Sequence, residues 1–333
     1  MNAVASNLPS AVPSRSAHAI HIVCSVFNGE VYLAEFLKSL RAQTVSNWMM
    51  WVRDDGSNDG SATMLQQLAV DDERIHLLEV PGNNVGVVAS FNRALQQVPA
   101  DARYIMFADQ DDIWLPQKIE YTLSAMMLGE QHSSGPLLVH TDMHVVDEQL
   151  QPIAESFWEL AHIDPQGTSL QRLLTRNVVT GATMMINRAL RERVGDIPLG
   201  AAMHDWWMAC VASAFGSLIA VTTPTMQYRQ HASNTIGARK PGSAVAVTEL
   251  PGAAVRAVRQ SARVRRDINA AARQAGAFLT RFGKALNASD HAFVSAYAAI
   301  ADHTFLRRKI DIARLHLQRG DGWLKNAGLL LRA

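Results

Sequence analysis

An acidic cluster follows the apolar segment 104–108 and consists of Asp109, Asp111 and Asp112. The segment predicts a buried strand, and ligands bind at the carboxyl edge of an open α/β sheet. Three carboxylates this close repel one another unless a cation or a hydrogen-bonding ligand compensates them. Mg²⁺ or Mn²⁺ bridging two phosphates would do so, since hard oxygen ligands suit these ions. The alternative is a helix N-cap, for which one Asp suffices.

A second acidic loop follows another short strand. Asp54 and Asp55 come directly after the segment 49–52 and lead into a turn rich in Gly, Ser and Asn. Parallel strands expose their carboxyl ends on one side of a sheet, so we expect the two acidic loops to converge on one ligand. The alternative is a turn in which the Asp side chains bond their own backbone.

Strand and helix patterns alternate along residues 18–108. Val- and Ile-rich segments predict strands at 18–27, 49–52, 75–80 and 104–108, and apolar residues at helical spacing predict helices at 30–43, 62–70 and 86–98. This order indicates βαβ units. It predicts an α/β fold with a mostly parallel central sheet and helices on both faces.

The second half of the chain is less regular. Helices are predicted at 116–128, 170–174 and 203–215, strands at 137–146 and 218–221, and a Met-rich apolar segment at 184–186. Residues 151–168 are interpreted as irregular. From residue 250 the chain is rich in Ala and Arg, which predicts a mostly helical extension.

The composition indicates a globular protein with a substantial core, since 48% of the 333 residues are hydrophobic. No apolar run reaches the roughly 18 residues of a membrane span. Residues 1–18 lack the apolar region of a signal peptide and are expected to form a disordered tail. Cys24 and Cys210 lie in apolar stretches, which indicates buried, reduced thiols and a cytoplasmic location.

Charge is divided unevenly along the chain. Residues 1–238 hold 14 basic and 24 acidic side chains, whereas residues 239–333 hold 17 basic and 6 acidic ones. We therefore expect a catalytic domain at 19–240 and a basic helical extension at 241–333. The extension is expected either to contact anionic lipid at the inner face of the plasma membrane or to pack on the catalytic domain or a second subunit. Nucleic acid is not expected as a partner, because no recognition fold accompanies the charge.

Several familiar sites are absent from the sequence. It has no G-x-x-x-x-G-K-[ST] loop and no G-x-G-x-x-G after the first strand, so a P-loop or dinucleotide site lacks its phosphate cradle. It also has no G-x-S-x-G elbow and no Cys/His zinc cluster. The remaining candidates for a functional site are the carboxylates at the ends of the predicted strands and one histidine, His231, near the end of the motif-bearing region.

Short motifs along residues 19–240 resemble those of the inverting nucleotide-sugar glycosyltransferases of family two, which have the GT-A fold. The likeness is to bacterial rhamnosyltransferase-like members that build O-antigen or capsule polysaccharide. Each motif alone is weak, but their order is specific. The matching residues are Ser25–Gly29, Gln43–Thr44, Arg53–Ser57, Asn83–Gly86, Phe107–Trp114, Val179–Ala182, His204–Trp207 and Tyr228–His231.

The resemblance implies a role for each site residue. It implies donor binding by Phe27, Asn28, Asp54, Asp55, Asp109 and Arg229, metal binding by Asp111, Asp112 and His231, acceptor binding by Gly181, Trp206 and Trp207, and base catalysis by Asp205. Asp55 would accept the N–H of a uracil or thymine ring, and Asp109 would bind ribose hydroxyls. The divalent metal, Mn²⁺ or Mg²⁺, would neutralise the diphosphate leaving group.

Asp205 is the candidate general base for chemical reasons as well. An attacking hydroxyl must lose its proton, and a carboxylate beside two tryptophans would be partly desolvated and so a stronger base. The alternative is a helix N-cap followed by two core tryptophans, and His231 could equally be structural. Two positions depart from the family pattern: Ala89–Asn92 lacks the usual Arg, and His204 replaces the usual Glu.

The expected function is metal-dependent transfer of a sugar, rhamnose being one candidate, from a dTDP- or UDP-sugar to a saccharide or lipid-linked saccharide acceptor. A metal-dependent nucleotidyltransferase is one alternative, although it should carry a basic phosphate-binding loop after the first strand. The other is a non-catalytic assembly subunit of a polysaccharide-synthesis complex.

Overall fold

The computed structural model describes residues 19–78, 83–231 and 250–303, together with residues 307, 310 and 311, and describes side chains in the last segment from residue 265 onward. The predicted tail at 1–18 and most of the basic residues beyond 303 lie outside the described residues, as does the segment 232–249. The side chains of Arg256, Arg259 and Arg263 also lie outside the described part of the structure.

The chain forms two compact units. The first comprises residues 1–161, 179–197 and 203–238, and the second comprises residues 162–178, 198–202 and 239–333. Two short segments from the middle of the chain thus belong to the second unit, which the sequence did not indicate. The predicted domain boundary at residue 240 stays a prediction.

The first unit is built on one mixed sheet. Its strands are β1 (Ile20–Val26), β2 (Trp48–Asp54), β3 (Ile75–Leu77), β4 (Tyr104–Ala108), β5 (Ile113–Trp114), β6 (Leu137–Val146), β7 (Pro152–Ala154), β8 (Met184–Asn187) and β9 (Ser217–Arg229). They lie in the order β3-β2-β1-β4-β8-β6-β9-β5, and β7 pairs with β6.

Half of the sheet is parallel. Strands β3, β2, β1 and β4 run parallel, as the βαβ pattern predicted, and β6 pairs parallel with β9. The pairs β4–β8, β6–β8, β6–β7 and β5–β9 are antiparallel. The α/β class is therefore as predicted, while the sheet is mixed rather than mostly parallel, because antiparallel strands fill its second half.

Helices pack around this sheet. They are α1 (Glu30–Arg41), α2 (Ser61–Asp71), α3 (Val87–Gln97), α4 (Lys118–His132), α5 (Phe157–Ala161), α7 (Arg188–Val194) and α8 (His204–Phe215). Helix α6 (Leu170–Thr175) belongs to the second unit. On α1, residues Leu33, Phe36, Leu37 and Leu40 recur at helical spacing and are buried. Val31, in the first turn of the same helix, is 76% exposed although it is apolar.

The second unit is helical among its described residues. Helix α9 (Leu250–Phe282) and helix α10 (Ala288–Ala299) pack together and on α6. Phe278, Val294 and Ile300 are fully buried there, and burial of an apolar side chain of this size contributes roughly 1.5–3 kcal/mol. No described helix is both long enough and apolar enough to cross a membrane.

Candidate active site

A cavity of about 740 Å³ is lined in part by residues that follow the parallel strands. The register aligns Val26 with Asp54 and Cys24 with Ala108, so β1, β2 and β4 end at the same edge. Of the predicted site residues, those on the cavity wall are Phe27, Asn28, Asp55, Asp109, Asp111, Gly181, Asp205 and His231. Those outside its lining are Asp54, Asp112, Trp206, Trp207 and Arg229.

The Gln110 side chain joins the loops that follow β1 and β4. The Phe27 N–H donates to Gln110 Oε1 at 2.8 Å, and Gln110 Nε2 donates to the Phe27 carbonyl at 2.9 Å. Asn28 has a positive φ of 50°, which Asn tolerates better than most residues. A Cβ on Gly29 would lie 2.6 Å from Gln110, so a glycine permits this approach. The Phe27 ring remains 44% exposed.

Asp55 is anchored at the cavity wall by a buried arginine. Arg53 forms an ion pair with Asp55 Oδ1 and donates to Ser90 Oγ at 2.9 Å. The N–H groups of Val85 and Gly86 donate to Asp55 Oδ1 and Oδ2, each at 3.0 Å. A carboxylate oxygen has two lone pairs, so Oδ2 can still accept an N–H from a ligand.

Asp54 is directed toward its own loop. Its carboxylate oxygens accept the Ser57 N–H at 3.3 and 3.2 Å. This is the Asp-stabilised turn that the sequence left as an alternative. Asp54 thus shapes the loop that presents Asp55.

Burial raises the pKa of two carboxyl groups after β4. Desolvation, followed by the charges of Asp111 and Asp205, raises the pKa of Asp109 to about 7. Desolvation, followed by Asp111 and Asp109, raises the pKa of Asp112 well above its usual range. Asp112 Oδ2 is buried without a hydrogen-bond partner among the described residues. A bound cation would stabilise negative charge in this loop.

Asp111 and His231 form a pair on the cavity wall. His231 Nε2 lies 2.7 Å from Asp111 Oδ2, and both side chains are largely buried. The His231 ring stacks on Tyr32 with centroids 4.6 Å apart, and the Tyr32 hydroxyl donates to Glu148 at 3.0 Å. A carboxylate oxygen and an imidazole nitrogen are thereby held side by side.

Arg229 holds the acidic loop in place. Its guanidinium forms an ion pair with Glu35 on α1 and donates to the Asp111 carbonyl at 3.1 Å and the Glu148 carbonyl at 3.2 Å. Its backbone N–H donates to Asp112 Oδ1 at 3.2 Å. The side chain is only 4% exposed, so in this arrangement Arg229 acts on the site through the loop.

Asp205 lies in the first turn of α8 and faces the cavity. Its Oδ2 accepts the Gly181 N–H at 2.9 Å across from the 3-10 helix Gly181–Thr183. The N-cap of α8 is Met203, so Asp205 does not occupy the capping position that the sequence left as an alternative. The helix N-terminus favours the ionised carboxylate.

The two tryptophans after Asp205 have different surroundings. Trp207 is 0% exposed and belongs to the core, where an acceptor cannot reach it in this arrangement. Trp206 is half-buried. Of the two tryptophans predicted to bind the acceptor, Trp206 alone keeps access to solvent.

The two departures from the family pattern lie in contact. Phe91, in the segment without the usual Arg, stacks on His204 with ring centroids 4.0 Å apart. Burial lowers the pKa of His204 to about 3, so its ring is neutral. Both residues line the cavity, which therefore has an uncharged aromatic wall beside Asp205.

Four residues that hold this site received no role from the sequence. Arg53 and Gln110 lie inside recognised motifs, and those motifs were the available signal. Tyr32 and Glu35 lie on α1 in no motif, and Glu35 is 194 positions from Arg229. Only the fold reveals such partners.

A family model described as Glycosyl transferase family 2 matches residues 21–195, more than half of the chain. The chain belongs to glycosyl transferase family 2. The matched residues include β1 to β4, both acidic loops and Gly181, whereas Asp205, Arg229 and His231 lie beyond them.

Curated relatives match parts of this family two chain. It is 35% identical over 108 residues to the putative teichuronic acid biosynthesis glycosyltransferase TuaG of Bacillus subtilis (strain 168), covering 32% of this chain and 42% of TuaG. It is 27% identical over 222 residues to the dTDP-rhamnosyl transferase RfbG of Shigella flexneri, covering 64% and 73%. It is 34% identical over 110 residues to the UDP-Glc:alpha-D-GlcNAc-diphosphoundecaprenol beta-1,3-glucosyltransferase WfgD of Escherichia coli, covering 33% and 42%. The matches to TuaG and WfgD span less than half of those proteins.

Solved structures share the fold. Staphylococcus aureus TarS 1–349 in complex with UDP-GlcNAc has a TM-score of 0.53 at 13% identity, covering 94% of this chain and 89% of that one. The mannosyltransferase PcManGT from Pyrobaculum calidifontis, in complex with GDP-Man and Mn²⁺, has a TM-score of 0.54 at 14% identity, covering 98% and 89%. The predicted family and the GT-A type α/β fold are confirmed.

Proposed function

We propose that this family two protein is a metal-dependent inverting glycosyltransferase of bacterial surface polysaccharide synthesis. It moves a sugar from a nucleotide-diphosphate donor to a saccharide acceptor. The observation that carries the proposal is one cavity that brings together Asp55, Asp109, Asp111, His231 and Asp205. The named activities of RfbG and WfgD favour a dTDP- or UDP-sugar donor, with rhamnose as one candidate sugar.

The donor nucleotide binds at the end of the cavity formed by the two acidic loops. The remaining lone pair of Asp55 Oδ2 accepts the imide N–H of the pyrimidine, and Asp109 accepts hydrogen bonds from the ribose. Phe27 and Asn28 lie beside this position on the loop after β1. Asp54 and Arg229 contribute by fixing the loops, because their side chains bond protein groups.

The residues present fit a divalent cation, Mn²⁺ or Mg²⁺. Asp111 and His231 are adjacent on the wall, and Asp112 behind them has a buried oxygen without a partner among the described residues. No group of three or more ligating side chains is found within the described part of the chain, so phosphates and water would complete the coordination. When bound, the ion would stabilise charge on the leaving diphosphate.

Asp205 performs the base chemistry of the transfer. Its carboxylate removes the proton from the acceptor hydroxyl as the hydroxyl oxygen bonds to the anomeric carbon. The bond from that carbon to the diphosphate oxygen breaks, and the electron pair leaves with the diphosphate. The Gly181 N–H bond at 2.9 Å orients the carboxylate for this step.

The acceptor, a saccharide or a lipid-linked saccharide, approaches from the side of Gly181 and Trp206. A lipid-linked acceptor places the reaction at the inner face of the plasma membrane. The basic C-terminal extension would hold the enzyme there by contact with anionic lipid.

The first test is a thermal-shift panel of UDP, dTDP, GDP, NAD and ATP, each with and without Mn²⁺. A nucleotide at a hundredfold over its Kd adds roughly 2.7 kcal/mol of stability. That corresponds to a rise of several degrees in the Tm of a domain of this size. We expect a Mn²⁺-dependent shift with dTDP or UDP that Asp111→Asn abolishes.

The matched control for this test is Asp71→Asn, an equal charge change at an exposed residue near the end of α2. It should keep the full nucleotide shift. A shift with ATP or NAD alone would contradict the proposal, and no shift with any nucleotide would favour a non-catalytic assembly subunit.

A further inference from the structure

His204 is a buried polar side chain on the cavity wall. It is the first residue of α8, is 3% exposed and precedes Asp205 directly. Its ring stacks on Phe91 at 4.0 Å and is tilted against Phe107 at 5.6 Å between centroids. The stack on Phe91 covers one face of the ring and, with the contact to Phe107, fixes the orientation of its nitrogens.

Neither ring nitrogen of His204 has a hydrogen-bond partner within the described residues. A buried polar group without a partner costs about 1–3 kcal/mol. An apolar ring would avoid this cost and would pack equally well against the two phenylalanines. A bound molecule that supplies the missing partner removes the cost. Both nitrogens are closed to the cavity in this arrangement, so such a molecule must displace the wall beside Gly181 to reach them.

The charge state of His204 selects the kind of partner. Burial lowers its pKa to about 3, so the ring is neutral near neutral pH. A neutral imidazole offers one N–H donor and one acceptor nitrogen. A sugar hydroxyl also donates and accepts, whereas a phosphate offers acceptors and prefers cations. The ring therefore matches a hydroxyl.

The position of the ring relates that hydroxyl to the proposed base. A Cβ on Gly181 would lie 2.7 Å from His204 Nε2 and 3.7 Å from Asp205 Cβ. His204 Nε2, the Gly181 backbone and Asp205 therefore meet at one point of the wall. A hydroxyl that reaches the ring belongs to a sugar beside Asp205.

We propose that His204 binds a ring hydroxyl of the saccharide beside Asp205 and makes the enzyme selective for sugars that carry it. This inference rests on the proposed function, because the role of Asp205 defines where the reacting sugars meet. The hydroxyl belongs either to the donor sugar or to the acceptor sugar. The chemistry is the same in both cases, and the experiment separates them.

The test compares two substitutions of His204. His204→Phe keeps a ring in contact with Phe91 and Phe107 and removes both nitrogens. His204→Gln lacks the ring but restores a donor and an acceptor. The control is His140→Phe, since His140 is also fully buried with both nitrogens unpartnered among the described residues, yet does not line the cavity.

Two measurements separate the sources of the hydroxyl. Calorimetry gives the Kd of dTDP or UDP and of the matching nucleotide sugar, and initial rates give kcat/KM for the acceptor. For a donor hydroxyl, His204→Phe weakens nucleotide-sugar binding roughly tenfold and leaves the bare diphosphate unchanged. For an acceptor hydroxyl, His204→Phe leaves both Kd values unchanged, and kcat/KM for the acceptor falls roughly tenfold.

In either case His204→Gln restores much of the loss, and His140→Phe behaves as wild type. The inference is overturned if His204→Phe binds and transfers like wild type. It is also overturned if His204→Phe stays active while His204→Gln does not, since the role of His204 would then be to pack its ring against Phe91 and Phe107. Should His204→Phe not fold, His204→Met replaces it in the comparison with Gln. Wild-type protein that binds neither diphosphate would instead contradict the proposed function.

Discussion

Arg53 and Asp55 form an ion pair with almost no exposure, their side chains being 0% and 4% exposed. Removal of one partner leaves an uncompensated buried charge, so Arg53→Met should lower the free energy of unfolding by about 3–5 kcal/mol in urea denaturation. The double variant Arg53→Met, Asp55→Asn should lose less. Asn carries no charge and keeps an oxygen that can accept the Val85 or Gly86 N–H.

The Arg41–Asp72 pair is the control for this prediction. The Arg41 side chain is 41% exposed and its Nε lies 3.1 Å from Asp72. Asp72 also pairs with Arg74 at 2.9 Å and would keep that partner, so Arg41→Met should cost only about 0–1 kcal/mol. Equal losses in the Arg41 and Arg53 variants would contradict the assignment of Arg53 as the charge partner of Asp55.

The acidic residues of the site were open to prediction because carboxylates directly after apolar strands have few structural reasons to cluster. Their supports were not. Arg229 was predicted to bind the donor, and in the structure its guanidinium bonds Glu35 and two backbone carbonyls. A sequence shows that a residue is charged, whereas the partner that neutralises it comes from the fold.

At the scale of elements, the contact of the 3-10 helix 181–183 with α8 positions the reacting groups. A Cβ on Gly181 would lie 2.7 Å from His204 Nε2. His204 stacks on Phe91 and contacts Phe107, so we expect Gly181→Ala to displace the first turn of α8 and with it Asp205. A misplacement of about 1 Å can cost on the order of a hundredfold, so we expect kcat of transfer to fall by about that factor.

Gly135→Ala is the control for the Gly181 substitution. A Cβ on Gly135 would meet its nearest atom at 3.5 Å, which is ordinary contact. This variant should keep wild-type kcat and its thermal transition, whereas Gly181→Ala should still fold but melt at a lower temperature because the extra methyl overpacks a buried contact. A Gly181→Ala enzyme with normal kcat would show that the contact does not position Asp205.

The elements open to sequence prediction were those with strong periodicity. Strands β1 to β4 and helices α1, α3 and α8 follow their apolar patterns closely. Strand β9 was predicted only in part, because Pro224 interrupts its pattern. The chain accommodates this proline where the register with β6 shifts, after Thr141. Strand β5 has two residues and is defined by its pairing with β9. A segment this short has no periodicity from which a strand could be predicted.

At the scale of the whole molecule, the basic residues are concentrated in one continuous part of the sequence, whereas each compact unit is assembled from several separate segments. The net charge changes from −10 over residues 1–238 to +11 over residues 239–333. The boundary between the compact units does not follow this change of charge alone, since residues 162–178 and 198–202 also belong to the helical unit. Composition therefore locates the basic extension, while long-range packing of short segments such as α6 stays invisible to it.

Membrane attachment through this charge is testable on the full chain. Each basic side chain near an anionic bilayer contributes about 1 kcal/mol, so replacement of exposed Arg265, Arg266 and Arg273 by Gln should weaken binding to phosphatidylglycerol vesicles roughly a hundredfold in co-sedimentation. Replacement of Lys38, Arg41 and Arg93 removes the same charge from the other unit and should leave binding unchanged, because only the basic extension is expected to face lipid. Equal binding to anionic and phosphatidylcholine vesicles, or equal losses in both triple variants, would assign the basic helices to packing or to a protein partner instead.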